Sequence, residues 1–143
     1  MPYRYLDEIA TADAAFEAWG DTIETMFSAA ADATVNVMVS ELDTIAPIEH
    51  RTLEVAAEEL DMLLFQLLQE IIFYKDAEQL LLRVGAIRIE EKDGRLLLTA
   101  EASGETLQPE KHDLIVDVKA VTLHRFKVEE TPRGWEAFVI LDI

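Results

Sequence analysis

The 143-residue sequence contains no cysteine, which excludes disulfides, thiolate nucleophiles and cysteine-ligated zinc or iron–sulfur centres. Basic residues are scarce: 12 Lys and Arg stand against 29 Asp and Glu, a net charge of -17. The shortage is concentrated in residues 1–74, where 15 acidic residues face only Arg4 and Arg51, whereas residues 75–143 hold 14 acidic and ten basic residues. Affinity for nucleic acid comes largely from basic side chains that displace counterions, so direct binding to RNA or DNA is not expected. An acidic half of this kind serves either as a surface that docks a basic partner or collects cations, or simply as a means of staying in solution. The opening residues MPYRYLDEI lack the charged and apolar regions of a signal peptide, and no run long enough to span a membrane follows. The expectation is a cytoplasmic protein. Also missing are a Gly-rich phosphate loop, a nucleophile elbow and a metalloprotease helix motif. The three histidines, His50, His112 and His124, have no metal-ligand spacing.

Half of the residues are hydrophobic, enough to build one sizeable core and too few, at this length, for two. A single domain over residues 1–143 is expected. Its organising element is the stretch from Glu58 to Tyr74. There Leu60, Leu63, Leu64, Leu67, Leu68, Ile71 and Ile72 recur at helical spacing, and Met62, Phe65, Phe73 and Tyr74 widen the apolar arc. Such a helix must be covered on more than one side.

Before it, strand character in residues 2–9 is followed by a break at Ala10–Asp13 and a short second strand over residues 14–19. Asp21 as N-cap with Glu24 three residues on starts a first helix that runs to about Val39. Pro47 breaks the connection that follows, and residues 50–55 alternate as a strand. After the central helix the pattern turns to strands. Residues 80–91 and 95–102 flank Asp93-Gly94, a strong hairpin signal, and a shift of apolar parity places a bulge near Gly85. A loop over residues 103–112, a long strand region over 114–129 and a final strand over 135–143 complete the chain. Two strands, helix, strand, helix and four strands do not alternate as in a doubly wound sheet. They predict an α+β two-layer sandwich with two helices packed on a mixed, largely antiparallel sheet.

Two stretches carry candidate chemistry. In the last strand Phe138, Ile140 and Asp142 share one face and Trp135, Ala137, Val139, Leu141 and Ile143 the other, so Asp142 ends an otherwise apolar row and Ile143 adds a terminal carboxylate. Two negative groups at the end of a buried strand are costly unless a cation, hydrogen-bond donors or solvent compensate them. A hard cation with oxygen ligands, calcium or magnesium, fits such a site, and a solvated terminus is the plain alternative. In the second stretch, Asp117 and Lys119 fall on one face of the expected strand with Val121 and Leu123. Lys119 offers a charge to a phosphate or carboxylate, or else discourages strand pairing at an edge. His124, on the opposite face, is a base, a ligand or a structural residue.

Taken together, several stretches resemble one family in order and spacing. These are Thr11-Ala12-Asp13, Leu67-Leu68-Gln69-Glu70-Ile71-Ile72-Phe73 with Asp76, Gly104-Glu105 with Pro109-Glu110-Lys111-His112, residues 118–124, and Leu141-Asp142-Ile143. The chain resembles the archeases along its whole length. The resemblance implies a strand-helix-strand-strand fold and an accessory role beside an RtcB-type RNA ligase of tRNA splicing and RNA repair. That role is to help the ligase take up guanylate from GTP on its active-site histidine and turn over repeatedly, without being an enzyme itself. It also implies a divalent-cation site, usually described with calcium, that maps onto Asp13, Asp142 and Ile143, with no catalytic residue. Lys119, Asp117 and His124 are candidate contacts to the partner or to phosphate. The sequence departs from the family at Ala10, where histidine is usual, and at Leu123, where tyrosine is common. A stand-alone small-molecule or cation-binding domain is the alternative of another class, and an independent hydrolase a distant third.

Overall fold

The structure, a computed structural model, describes residues 2–6 and 13–143. In chain order the elements are β1 (Tyr3–Leu6), β2 (Asp13–Gly20), α1 (Ile23–Met38), a single 3₁₀ turn (Leu42–Thr44), β3 (Glu49–Ala57), α2 (Leu60–Glu78), β4 (Leu80–Lys92), β5 (Arg95–Thr106), β6 (Ala120–Thr131) and β7 (Gly134–Asp142). The order of strands and helices is the one expected, and the fold is α+β with two helices packed on antiparallel sheet. The strands divide into two sheets, a four-stranded one ordered β1-β2-β7-β6 and a three-stranded one ordered β3-β5-β4, and every pairing is antiparallel. Of the break expected at Ala10–Asp13, residues 10–12 lie outside the described residues, and Asp13 already belongs to β2.

Both helices touch both sheets. α1 packs on β1, β2 and β7 and also on β4, while α2 packs on β3, β4 and β5 and also on β6. This explains why the apolar arc of α2 is wide: Leu63, Leu64, Leu67, Leu68, Ile71 and Ile72 are buried. Phe65 meets Phe126 of β6 edge to face at 5.9 Å. Phe73 is the exception, since its side is left to solvent. In α1 the run Ala29, Ala30, Ala31 and Ala33 is buried with Met26, Phe27, Val35 and Met38, because small side chains let the helix sit close to the strands on either side. Tyr3 and Tyr5 tie the edge strand β1 to this helix by donating to Asn36 Oδ1 at 3.0 Å and to the Ala33 carbonyl at 2.7 Å.

Local details sharpen the expected boundaries. The N-cap of α1 is Thr22, not Asp21: its hydroxyl accepts from the Thr25 N–H at 3.1 Å and the Thr25 hydroxyl accepts from the Thr22 N–H at 3.0 Å. That reciprocal box satisfies two free helix donors with hydroxyls alone. Gly20 is what allows the tight approach, since a Cβ there would lie 2.3 Å from Thr25 Oγ1. The Asp93-Gly94 hairpin takes positive φ at both residues, 53° and 78°, and the bulge expected near Gly85 is the register shift between Val84 and Ile87.

Two expectations about the C-terminal half fail. Residues 103–106 are not loop but the end of β5, because Gly104 and Glu105 pair with Leu82 and Leu81. Residues 114–119 are not strand. Leu114 makes one isolated bridge to Val39, and β6 starts only at Ala120. Within β6 the expected alternation breaks as well: Val121 is core while Leu123 is 60% exposed, because the register against β7 shifts between Thr122 and Lys127.

A candidate carboxylate site at the end of the four-stranded sheet

In an antiparallel pair, residues directly opposite each other point to the same face, with Cα atoms roughly 4.5–5.5 Å apart. The register of β2 against β7 sets Asp13 opposite Asp142, and that of β6 against β7 sets Ala120 opposite Asp142 on the other flank. The strand parity read from sequence therefore holds. Ala14, Phe16 and Ala18 face Leu141, Val139 and Ala137 on the side that meets the helices, and Asp13, Ala15 and Glu17 face Asp142, Ile140 and Phe138 on the outer side. Two like charges opposite each other oppose the pairing. No Lys, Arg or His among the described residues forms an ion pair with either of them.

The outer face is organised in rows across the strands. Asp13, Asp142 and Ala120 form the end row, and Leu6, Ala15, Ile140 and Thr122 the next. Ile140 is buried, and Thr122 Oγ1 is buried with no hydrogen-bond partner among the described residues. The carboxylates thus stand against a largely apolar row in which the unpartnered Thr122 hydroxyl is the one side-chain donor among the described residues. Ile143, half-buried, follows directly on Asp142. An oxygen-only donor set suits a hard cation. Among the described residues no three His, Asp or Glu side chains gather as a metal cluster, so the set fits such an ion only if main-chain, terminal or solvent oxygens complete it.

The remaining candidates fall around this end row. Lys119 is exposed, and its backbone N–H donates to the Asp142 carbonyl at 2.8 Å, which fixes it beside the site. Asp117 lies two residues further and is bound to α2: the Lys75 ammonium donates to its carboxylate at 2.5 Å, to the Val118 carbonyl at 2.8 Å and to Asp76. Burial pulls the Lys75 pKa down, but the hydrogen bonds it donates to Asp117 and Asp76 outweigh it and the net direction is up. The β6 edge is tied to the same helix, since Gln69 Oε1 accepts from the Val121 N–H at 3.0 Å. His124 is exposed beyond Thr122, where β6 leaves its register with β7, and the register does not bring it to the carboxylates.

Sequence reasoning missed the device that holds the connection from β5 to β6. Glu105, 2% exposed, accepts from the Ala46 N–H at 2.7 Å, from Lys111 Nζ at 2.6 Å and from Gln108 Nε2 at 3.2 Å. His112 is fully buried, and its Nδ1 accepts from the Gln108 N–H at 2.9 Å, so Nε2 carries the proton and donates to Glu105 at 3.0 Å. The Ala46 N–H, then Lys111 and His112, hold the Glu105 carboxyl down at about 2. The signal for this was the stretch Gly104-Glu105 with Pro109-Glu110-Lys111-His112, which entered only as part of the family resemblance and not as a buried network.

The match to known proteins covers almost all of the chain. The archease protein family model matches residues 3–143. The chain belongs to the archease family. Protein archease of Pyrococcus furiosus is 38% identical over 137 residues, covering 93% of this chain and 94% of that protein. Its counterpart in Methanosarcina mazei is 32% identical, covering 99% and 95%. Among solved structures, protein 1598 of Methanobacterium thermoautotrophicum superposes with a TM-score of 0.85 at 34% identity, covering 99% of both chains. A Thermotoga maritima archease, described as a possible chaperone, shares the fold with a TM-score of 0.54 at 20% identity, covering 96% of this chain and 97% of its own. The outer-face carboxylates are thus a feature of an archease-family chain.

Proposed function

We propose that this archease-family chain is a protein cofactor of an RtcB-type RNA ligase that promotes GTP-dependent guanylylation of the ligase and its repeated turnover in tRNA splicing or RNA repair. The observation that carries the reading is the in-register pair Asp13 and Asp142 at one end of the outer face, beside Ile143 and Lys119. A divalent cation, calcium first, held by Asp13, Asp142 and the Ile143 carboxylate, would supply charge stabilisation where negative charge shifts as pyrophosphate leaves. The chain's own residues do the rest. The two carboxylates place positive charge at an exposed sheet end, and Lys119 next to them reaches a phosphate or a partner carboxylate. No nucleophile is required of this chain, since the covalent guanylate sits on the ligase histidine.

A protein partner suits the surface beside the site. Leu114, Ile115 and Val116 form a consecutive exposed apolar run, with Ile115 57% exposed, on the segment that Lys75 pins to α2 and that leads into Lys119 and the carboxylates. Exposed apolar patches of this kind mark interaction surfaces. The net charge of -17 keeps RNA away from the isolated protein. No helix among the described residues is long and apolar enough to cross a membrane; action in the cytoplasm is part of the proposal.

The test is covalent transfer of labelled guanylate to the cognate ligase with substoichiometric protein. Wild type stimulates the transfer, and Asp142→Ala removes most of the stimulation. No stimulation by wild type overturns the accessory reading and leaves the stand-alone cation-binding domain. Stimulation untouched by Asp142→Ala keeps the accessory role and discards the cation-centred mechanism.

A further inference from the structure

The outer face of the four-stranded sheet carries a second feature, four residues along β7 from Asp142 and thus about 13 Å away at strand spacing. The third row across the strands is Arg4, Glu17, Phe138 and Lys127, and the fourth is Trp19, Glu136 and Glu129. Together with Arg125 and Arg133 these residues line a cavity of about 620 Å³, within the size range of small-molecule sites.

Its charges are matched except at one place. Arg4 pairs with Glu17 at 2.8 Å, Arg133 with Glu136 at 2.8 Å and Lys127 with Glu129 at 3.2 Å. Arg125 has no carboxylate partner among the described residues and lies over the Phe138 ring, its guanidinium carbon 4.7 Å from the ring centre. Its backbone is left-handed, with φ 57°, in the segment where β6 departs from its register with β7 between Thr122 and Lys127. Non-glycine residues rarely adopt that conformation, and it persists only where the surroundings fix it. Here the bulge turns Arg125 back over the sheet. Trp19, 37% exposed, stands in the neighbouring row and leaves part of its indole open to solvent.

We propose that this cavity binds a nucleoside monophosphate, its phosphate on the Arg125 guanidinium and its base against Trp19. Three properties of the cavity select this ligand class. A guanidinium stacked on an aromatic ring keeps its edge donors free for phosphate. An exposed indole stacks on any base, because every base has a π-face. The lining has four basic and three acidic side chains, a surplus of one positive charge on a chain of net charge -17, so a single phosphate comes nearer to being balanced there than a triphosphate or a polynucleotide does. This site does not depend on the ligase role or on the carboxylates of the end row.

The experiment is calorimetric titration of the whole protein with AMP, adenosine, inorganic phosphate and ATP, followed in parallel by tryptophan emission. AMP binds and quenches emission, while adenosine, phosphate and ATP each bind at least about tenfold more weakly, a difference of about 1.4 kcal/mol. Arg125→Gly suits the left-handed backbone and so retains the fold, checked by its melting curve; it loses AMP binding by about tenfold or more. Trp19→Leu abolishes the quench and weakens AMP. Absence of AMP binding at millimolar concentration, binding unchanged by Arg125→Gly, or phosphate binding as tightly as AMP would each overturn the assignment.

Discussion

The two faces of the four-stranded sheet are made from alternate residues of the same strands and have nothing else in common. Toward the helices, Phe16, Ala18, Val139 and Leu141 are closed to solvent and hold the core together. On the outer side, the same stretches of β2 and β7 present Asp13, Glu17, Trp19, Glu136, Phe138 and Asp142. A period of two lets one strand serve stability and chemistry at once, provided the register never slips. Substitutions of the core-face residues should therefore act on folding and those of the outer charged and aromatic residues on binding, while Ala15 and Ile140, buried on the outer side, belong with the first group.

Adjacent residues give the sharpest form of this contrast. Leu141→Ala, on the core face, should lower unfolding free energy by about 2–5 kcal/mol, as for other buried leucines. Its neighbour Asp142→Asn should leave the metal-free protein unharmed or raise its stability by about 0.2–1 kcal/mol, because it removes a like-charge pair from across the strands. Chemical denaturation in the presence of a chelator measures both. A loss on Asp142→Asn comparable to that on Leu141→Ala would break the division of labour between the faces.

On β5 of the three-stranded sheet, Glu105 is the one buried carboxylate among the described residues, and it combines core burial with charge. Its carboxyl is held down at about 2 in the folded state, below the ordinary value of about 4.3 that it regains on unfolding. Its contribution is therefore fully present above about pH 4.3 and is lost as pH falls toward 2. Melting temperature measured from pH 6 to pH 2 should fall through this window. In Glu105→Gln, which keeps acceptor and shape but not charge, that part of the fall should be smaller and the melting temperature at pH 6 lower. Identical pH profiles would show that the group carries no such linkage.

Local patterns in the sequence carried most of the architecture. Helical spacing located α2, the Asp-Gly pair located the β4–β5 turn, and the parity change before Ile87 located the first bulge. What escaped was decided by partners distant in sequence. The second register shift, at Thr122–Lys127, has no counterpart in the run Leu123-His124-Arg125-Phe126, and it arises where β6 must meet both β7 and Gln69 of α2. Leu114-Ile115-Val116 reads as strand because it is apolar, yet among the described residues it makes one isolated bridge to Val39, through the Ile115 N–H on the Met38 carbonyl and the Ser40 N–H on the Asp113 carbonyl, with Lys75 holding Asp117 nearby. At the candidate site the parity of β7 singled out Asp142 by itself. Asp13 joined it only through the family resemblance, since nothing local in a sequence reports that two strands so far apart will pair in that register.

The central claim, that the outer-face end row is a cation site and not merely a solvated strand end, is tested most directly by the melting temperature as a function of added calcium. A ligand that binds only the folded chain stabilises it by about 2.7 kcal/mol at a hundred times its dissociation constant. The wild-type melting temperature should rise steadily with calcium by several degrees, and that of the Asp13→Asn, Asp142→Asn double variant should stay flat. Equal rises in the two proteins, or no rise in wild type with either calcium or manganese, would contradict it.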